Sequence, residues 1–229
     1  QRNKVQHLNA MSSVTQSTYP SILNIPHSKL TYYLGNQPNI SYKILPLTKY
    51  EYLNKLKYVS LTPILANQYP KLVIFNFLDL INFSVTSTNN IPISWKYYNT
   101  QNYFKELDNK GYKILTIGTI NYEIFFNISQ NINNPSFTNT IDMFTNQIQN
   151  FLTSSKINIQ CLLTIYTNEL SIVPPLSKLL LIWKQEFNSN ININSLSTHF
   201  LSDNDNDKLL AHSLNFSFQS LESFFSHKF

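Results

Sequence analysis

The acidic run DNDND, Asp203 to Asp207, is the stretch whose residue types come closest to ligand chemistry. Alternating oxygen donors open a calcium loop, but that loop needs glycine at its sixth position and glutamate at its twelfth. This sequence has Lys208 and Leu214 there. With Leu209, Leu210 and Ala211 behind it, the run instead predicts a helix N-terminus, where carboxylates cap free amides and oppose the helix dipole. The histidines, His7, His27, His199, His212 and His227, show no metal-ligand spacing with one another or with Cys161. Cys161, inside QCLLTIY, reads as a small buried hydrophobe rather than a nucleophile. As the single cysteine it excludes an internal disulfide and a multi-cysteine zinc site. Phosphate-binding glycine motifs are absent as well: Gly118 is followed by Thr119, Ile120 and Asn121, which fits neither G-x-G-x-x-G nor G-x-x-x-x-G-K-[ST]. The expectation is a protein that is not an enzyme, with no catalytic residue, metal or cofactor.

The elements that would position any site follow from periodicity and breakers. Only three glycines occur in 229 residues, and two of them, Gly111 and Gly118, bracket the apolar run YKILTI. Upstream, ISWKYYNTQNYFKELDNK offers Ser94 as a helix cap, Tyr97, Phe104 and Leu107 on one side, and Gly111 where a helix-terminating glycine belongs. Gly118 is expected to end the strand at a tight strand-to-helix turn. LTKYEYLNKLKYV, with Thr48 and Glu51 in capping-box spacing, predicts a short helix. KLVIFNFLDLINF predicts buried strand, TIDMFTNQIQNFL a helix and IQCLLTIY a strand. LSIVPPLSKLL predicts a helix with Pro174 and Pro175 near its start, LLIW a strand, and the chain from Asp205 a long final helix. Strand and helix in turn, with doubly buried strands, give an α/β fold: a mostly parallel sheet with helices on both faces.

The length suits one sizeable core with an appendage. Charged residues are only 13%, and the wealth of asparagine, isoleucine, tyrosine, phenylalanine and lysine is what an AT-rich coding sequence gives. No apolar stretch is long enough for a membrane helix; LVIFNFLDLINF is short and contains Asp79. The opening residues do not read as a secretory leader. The net charge of +5 is localised: residues 1–50 hold Arg2, Lys4, Lys29, Lys43 and Lys49 and no acid, leaving 12 basic and 12 acidic side chains beyond. Residues 1–47 therefore read as an irregular, basic, tyrosine-dotted arm able to neutralise phosphates and stack on bases, and 48–229 as the α/β domain. RNA attraction is expected mainly from the arm, with Lys71, Lys110 and Lys113 contributing from the core if they gather on one face.

The order of segments over roughly 48–225 resembles the small ribosomal subunit protein two family, in its bacterial-type and organellar branch. The family strand K-G-K-I-L-F-V-G-T is matched by Lys110-Gly111-Tyr112-Lys113-Ile114-Leu115-Thr116-Ile117-Gly118-Thr119 with one inserted residue. W-N-P-K-M resembles Gln68-Tyr69-Pro70-Lys71-Leu72, and H-I-I-N-L-E-K-T resembles Asp79 to Thr86. G-G-M-L-T-N-W is similar to Ile141 to Gln147, A-L-F-V-I to Cys161 to Ile165, and F-V-I-P-G-N-D-D-A-I-R-A to Phe200 to Ala211. The H-F-G-H signature has no counterpart near Val59 to Pro63, and the family's long helical hairpin is largely deleted between Asn146 and Cys161. The resemblance implies a flavodoxin-like fold and a structural constituent of the mitochondrial small ribosomal subunit. Such a protein works in translation in the mitoribosome of the matrix, binding small-subunit rRNA and neighbouring ribosomal proteins, with no membrane and no small-molecule substrate. Two other readings stay open: another organellar ribosomal or RNA-binding protein, and a small doubly wound nucleotide-binding enzyme.

Overall fold

A computed structural model describes residues 23, 25–26, 30, 39–64, 69–85, 90–128, 136–188, 190–193 and 197–225. Its centre is a seven-stranded sheet in the order β1-β2-β7-β6-β3-β8-β9. The strands are β1 (Tyr42–Ile44), β2 (Leu56–Pro63), β3 (Lys71–Asn76), β6 (Tyr112–Asn121), β7 (Ile159–Tyr166), β8 (His199–Leu201) and β9 (Ser217–Gln219). β7, β6, β3, β8 and β9 are mutually parallel, while β2 runs antiparallel to both β7 and β1. β4 (Ile81–Phe83) and β5 (Ile93–Trp95) form a separate antiparallel pair.

The parallel strands alternate faces with period two, and both faces are buried. Val73, Phe75, Ile114, Cys161, Leu163 and Ile165 point into one apolar cluster, together with Phe104 and Leu107 of α2 (Thr100–Asn109) and Phe144, Ile148 and Leu152 of α4 (Phe137–Ser155). Leu72, Ile74, Leu115, Ile117 and Leu162 point into the other, beneath α5 (Leu176–Glu186) and α6 (Asp205–Ser213). In that second layer the buried Trp183 indole donates to the buried Gln160 side chain at 2.7 Å, so neither polar group is left unsatisfied. The expected α/β architecture is present: a mostly parallel sheet with helices on both faces, consistent with a flavodoxin-like fold. β3, the first parallel strand, lies centrally, and the chain winds outward from it in both directions. Only residues 156–158 separate α4 from β7, so no helical hairpin is inserted there.

Several local expectations are corrected. LTKYEYLNKLKYV forms a 3-10 turn, Thr48–Tyr50, without a side-chain cap, and then a turn through Asn54 (φ 51°) into β2. Burial of β2 between β1 and β7 outweighs the helical spacing. LLIW lies within α5, because Leu179, Leu180, Ile182 and Trp183 are buried at helical spacing while Leu181 faces solvent. KLVIFNFLDLINF is broken after Asn76, whose side chain accepts from the Leu78 amide and caps α1 (Phe77–Leu80). Ser94 lies in β5, and α2 begins after Asn99 in the left-handed region instead. The chain from Asp205 is divided into α6, β9 and α7 (Leu221–Phe224).

The boundary at residue 47 moves too. β1 belongs to the sheet, and Leu23, Ile25, Leu30, Ile40 and Tyr42 are buried in the first cluster. Tyr42 hydroxyl donates to the Ile157 carbonyl, tying this edge to the entry of β7. The α/β unit therefore draws on the N-terminal segment, and removing residues 1–47 would open its core.

Candidate nucleic-acid interface

In a parallel sheet all strands start at one end and the preceding helices terminate there. At this amino end stand Lys71, the exposed first residue of β3, and Lys113, the second residue of β6. Register pairs Lys71 with Tyr112 and Leu72 with Lys113, so the two lysines leave opposite faces of the sheet and straddle its end. Lys110 caps α2 and Lys156 caps α4, both exposed. A lysine at a helix C-terminus complements the negative end of its dipole, which is how two helices bring cations to the same end. Lys156 was not legible as a site residue; a lysine directly after a helical period and before the next buried strand was the available signal.

Aromatic rings and one carboxylate order this end. Lys71 Nζ lies 5.0 Å from the centre of the Tyr112 ring, and Lys113 Nζ 5.9 Å from that of Tyr69. Tyr69 hydroxyl donates to Asp108 in the last turn of α2, and the Asn158 amide donates to both Tyr69 and Asp108. Asp108 also lies 4.0 Å from Lys105. Burial pulls the Lys113 ammonium below its ordinary pKa. Behind Lys71, buried His199 packs edge-on against Tyr112, and burial, aided by the nearby Lys71 charge, pulls its pKa down to about 4.

The carboxyl end has the opposite character. Strand order reverses between β3 and β8, where doubly wound folds open a ligand crevice. Here Asp207 accepts from the Asn76 amide at 2.8 Å and the Ser202 hydroxyl at 2.6 Å, with Asp79 3.1 Å from the same hydroxyl. Asp203 accepts from Tyr97 at 2.8 Å and from the Leu221 amide at 3.0 Å. Asn204 caps α6, whose first turn carries Asp205 and Asp207, as DNDND predicts. Glu123, in the first turn of α3 (Tyr122–Phe125) directly after β6, and Glu169, in the turn after β7, stand at this same end, together with three lysines: Lys55 beside Glu169, and Lys96 and Lys208 lining the crevice. Counting charges along the chain gives a balanced core, yet in space lysines gather at the amino end and acids outnumber lysines at the carboxyl end.

No known protein family and no curated protein matches the chain.

The other expected residues distribute as follows. Arg2, Lys4 and Lys29 lie outside the described residues. Lys43 is exposed on edge strand β1, and Lys49 is paired with Glu186 of α5 instead of joining the amino-end lysines. Gly111 follows α2 with φ 82°, as a helix-terminating glycine should. Gly118 is corrected: it lies inside β6 opposite Leu163, three residues before the strand ends, and makes no turn. A Cβ there would sit 3.1 Å from Leu163 Cδ2 and 3.5 Å from Leu78 Cγ, so the glycine makes room chiefly for the Leu163 side chain of β7, with Leu78 of α1 at ordinary contact distance beyond it. Among the described residues no group of three or more His, Cys, Asp or Glu side chains is placed to hold a metal ion. Cys161 is fully buried and its thiol is pushed up to about 12.

Proposed function

We propose that the protein is an RNA-binding structural constituent of the mitochondrial small ribosomal subunit, a divergent relative of the small ribosomal subunit protein two family. The observation that carries this reading is the convergence of Lys71, Lys110, Lys113 and Lys156 on the amino end of the sheet, while the acids of the switch-point crevice lie at the other end. Such a polarised body presents one end to a polyanion and turns its repulsive end away. Lysines make phosphate contacts that position a protein on RNA and read little base identity, which suits a scaffold. The doubly wound layers fit the resemblance drawn from the strand motifs, while the missing helical hairpin between α4 and β7 departs from the family, as its sequence spacing implies.

The nucleotide-binding alternative is less well supported. Lys96 and Lys208 line the switch-point crevice, but a phosphate entering it would also meet Asp203, Asp205 and Glu222, with Asp79 and Asp207 beside them already engaged with Ser202 and Asn76, where such sites offer free backbone amides. The test is location: small subunits purified from mitochondria through a high-salt gradient are expected to retain the chain in proportion to small-subunit rRNA. Its recovery wholly in ribosome-free fractions would overturn the assignment.

A further inference from the structure

Lys113 differs from the other lysines of the amino end. It is half-buried on an inner strand, whereas Lys71, Lys110 and Lys156 are exposed. Among the described residues it forms no ion pair and no hydrogen bond; its ammonium faces only the ring of Tyr69. The carboxylate at hand, Asp108, is turned to Tyr69, Asn158 and Lys105. Withdrawing an ammonium from water without a counter-charge is destabilising, and an uncharged side chain at this strand end would avoid the cost.

Tyr69 is held with equal care. Its hydroxyl is fixed from two sides, by the last turn of α2 and by the entry to β7, so two separate elements keep its ring near Lys113. Burial, lack of a counter-charge and a fixed aromatic wall together describe a cation prepared for an incoming anion. Resting on the RNA-binding reading, we propose that Lys113 anchors a discrete phosphodiester site. One backbone phosphate supplies its counter-charge against the Tyr69 ring, and Lys71, Lys110 and Lys156 add diffuse attraction around it.

The test titrates the dinucleotide UpU, and its methylphosphonate analogue with an uncharged linkage, into the full chain. Lysine Nζ–H and backbone amide resonances are followed by NMR. UpU should give saturable shifts at Lys113 and Tyr69 that the analogue does not produce. Lys113→Met should weaken UpU about tenfold or more, the range of a hydrogen bond to a charged group, while Lys208→Met, at the carboxyl end, changes it less than about twofold. Lys113→Gln gives the same reading if methionine disturbs folding. Non-saturating shifts spread evenly over Lys43, Lys110, Lys156 and Lys184, or an unchanged UpU affinity in Lys113→Met, would overturn the site. The two proposals fail separately: rRNA binding that survives Lys113→Met unchanged removes the site and keeps the ribosomal reading, whereas saturation at Lys113 in a chain that binds no rRNA keeps the site and removes that reading.

Discussion

Replacing Gly118 by alanine and by valine separates two reasons a sequence so poor in glycine keeps one in mid-strand. Its backbone is that of an ordinary strand residue; among the described glycines only Gly111 has positive φ. A left-handed requirement would penalise alanine at once. A packing requirement acts through size instead. The alanine methyl would come within 3.1 Å of Leu163 Cδ2, a side-chain end that must yield by a few tenths of an ångström. Against that stands about 0.4–1 kcal/mol from the reduced freedom of the unfolded chain, so Gly118→Ala should lie within about 1 kcal/mol of wild type. Valine adds two methyl groups where Leu78 and Leu163 already meet, and overpacking of this kind costs about 1–3 kcal/mol. For a chain of this length that lowers Tm by about 3–10 °C. Thermal unfolding of the full chain, followed by circular dichroism and calorimetry, measures both variants. Alanine as costly as valine would show that backbone conformation is the constraint; a neutral valine would show that Leu163 and Leu78 do not fill the space over Gly118.

Three further outcomes follow from single residues. Gly111→Ala should destabilise by about 1–2 kcal/mol in the same assay, because φ 82° suits glycine and the new Cβ also meets Pro70 at 3.4 Å; a neutral result would mean the α2–β6 turn is elsewhere. His199, with its pKa lowered from 6.5 to about 4, is kept neutral by the fold while the unfolded chain takes up the proton. The stability this gives is complete above about pH 6.5 and is lost as pH falls toward 4, by a few kcal/mol at most; His199→Phe should flatten Tm across this window, and an unchanged profile would contradict the burial. Cys161 should resist thiol reagents at pH 8 in the folded chain and react on unfolding, whereas rapid native-state labelling would place it near the surface.

What the sequence made legible was set by locality. Residues 159–166 announce a strand through an unbroken apolar run buried on both faces, and Gly111 announces the end of α2 because a helix terminus is a local event. Where neighbours decide, local pattern misleads. Leu56 and Val59 continue a helical spacing from Tyr52 but lie in β2 and pair with β7, and Leu180 to Trp183 could be strand until α5 is seen lying over Ile117 and Leu162. The interface was legible only in part: Lys71, Lys110 and Lys113 were singled out, but register and helix direction bring them together with Lys156, and neither is visible in a count of charges. Anchoring of Tyr42 was hidden for the same reason, since its hydroxyl bonds to Ile157, more than a hundred residues away.

The central claim is that the lysines of the amino end bind RNA because of where they stand. Salt titrations of small-subunit rRNA binding test it most directly, comparing Lys71, Lys110 and Lys156 changed together to glutamine with Lys55, Lys96 and Lys208 changed likewise at the carboxyl end. Both variants lose the same net charge. Each phosphate contact contributes about 0.7–0.9 to the slope of log affinity against log salt, so the amino-end variant should flatten that slope by up to about 2–3 while the carboxyl-end variant keeps it. Equal flattening in both would mean that only net charge matters, and an unchanged slope in the amino-end variant would mean that the RNA lies elsewhere.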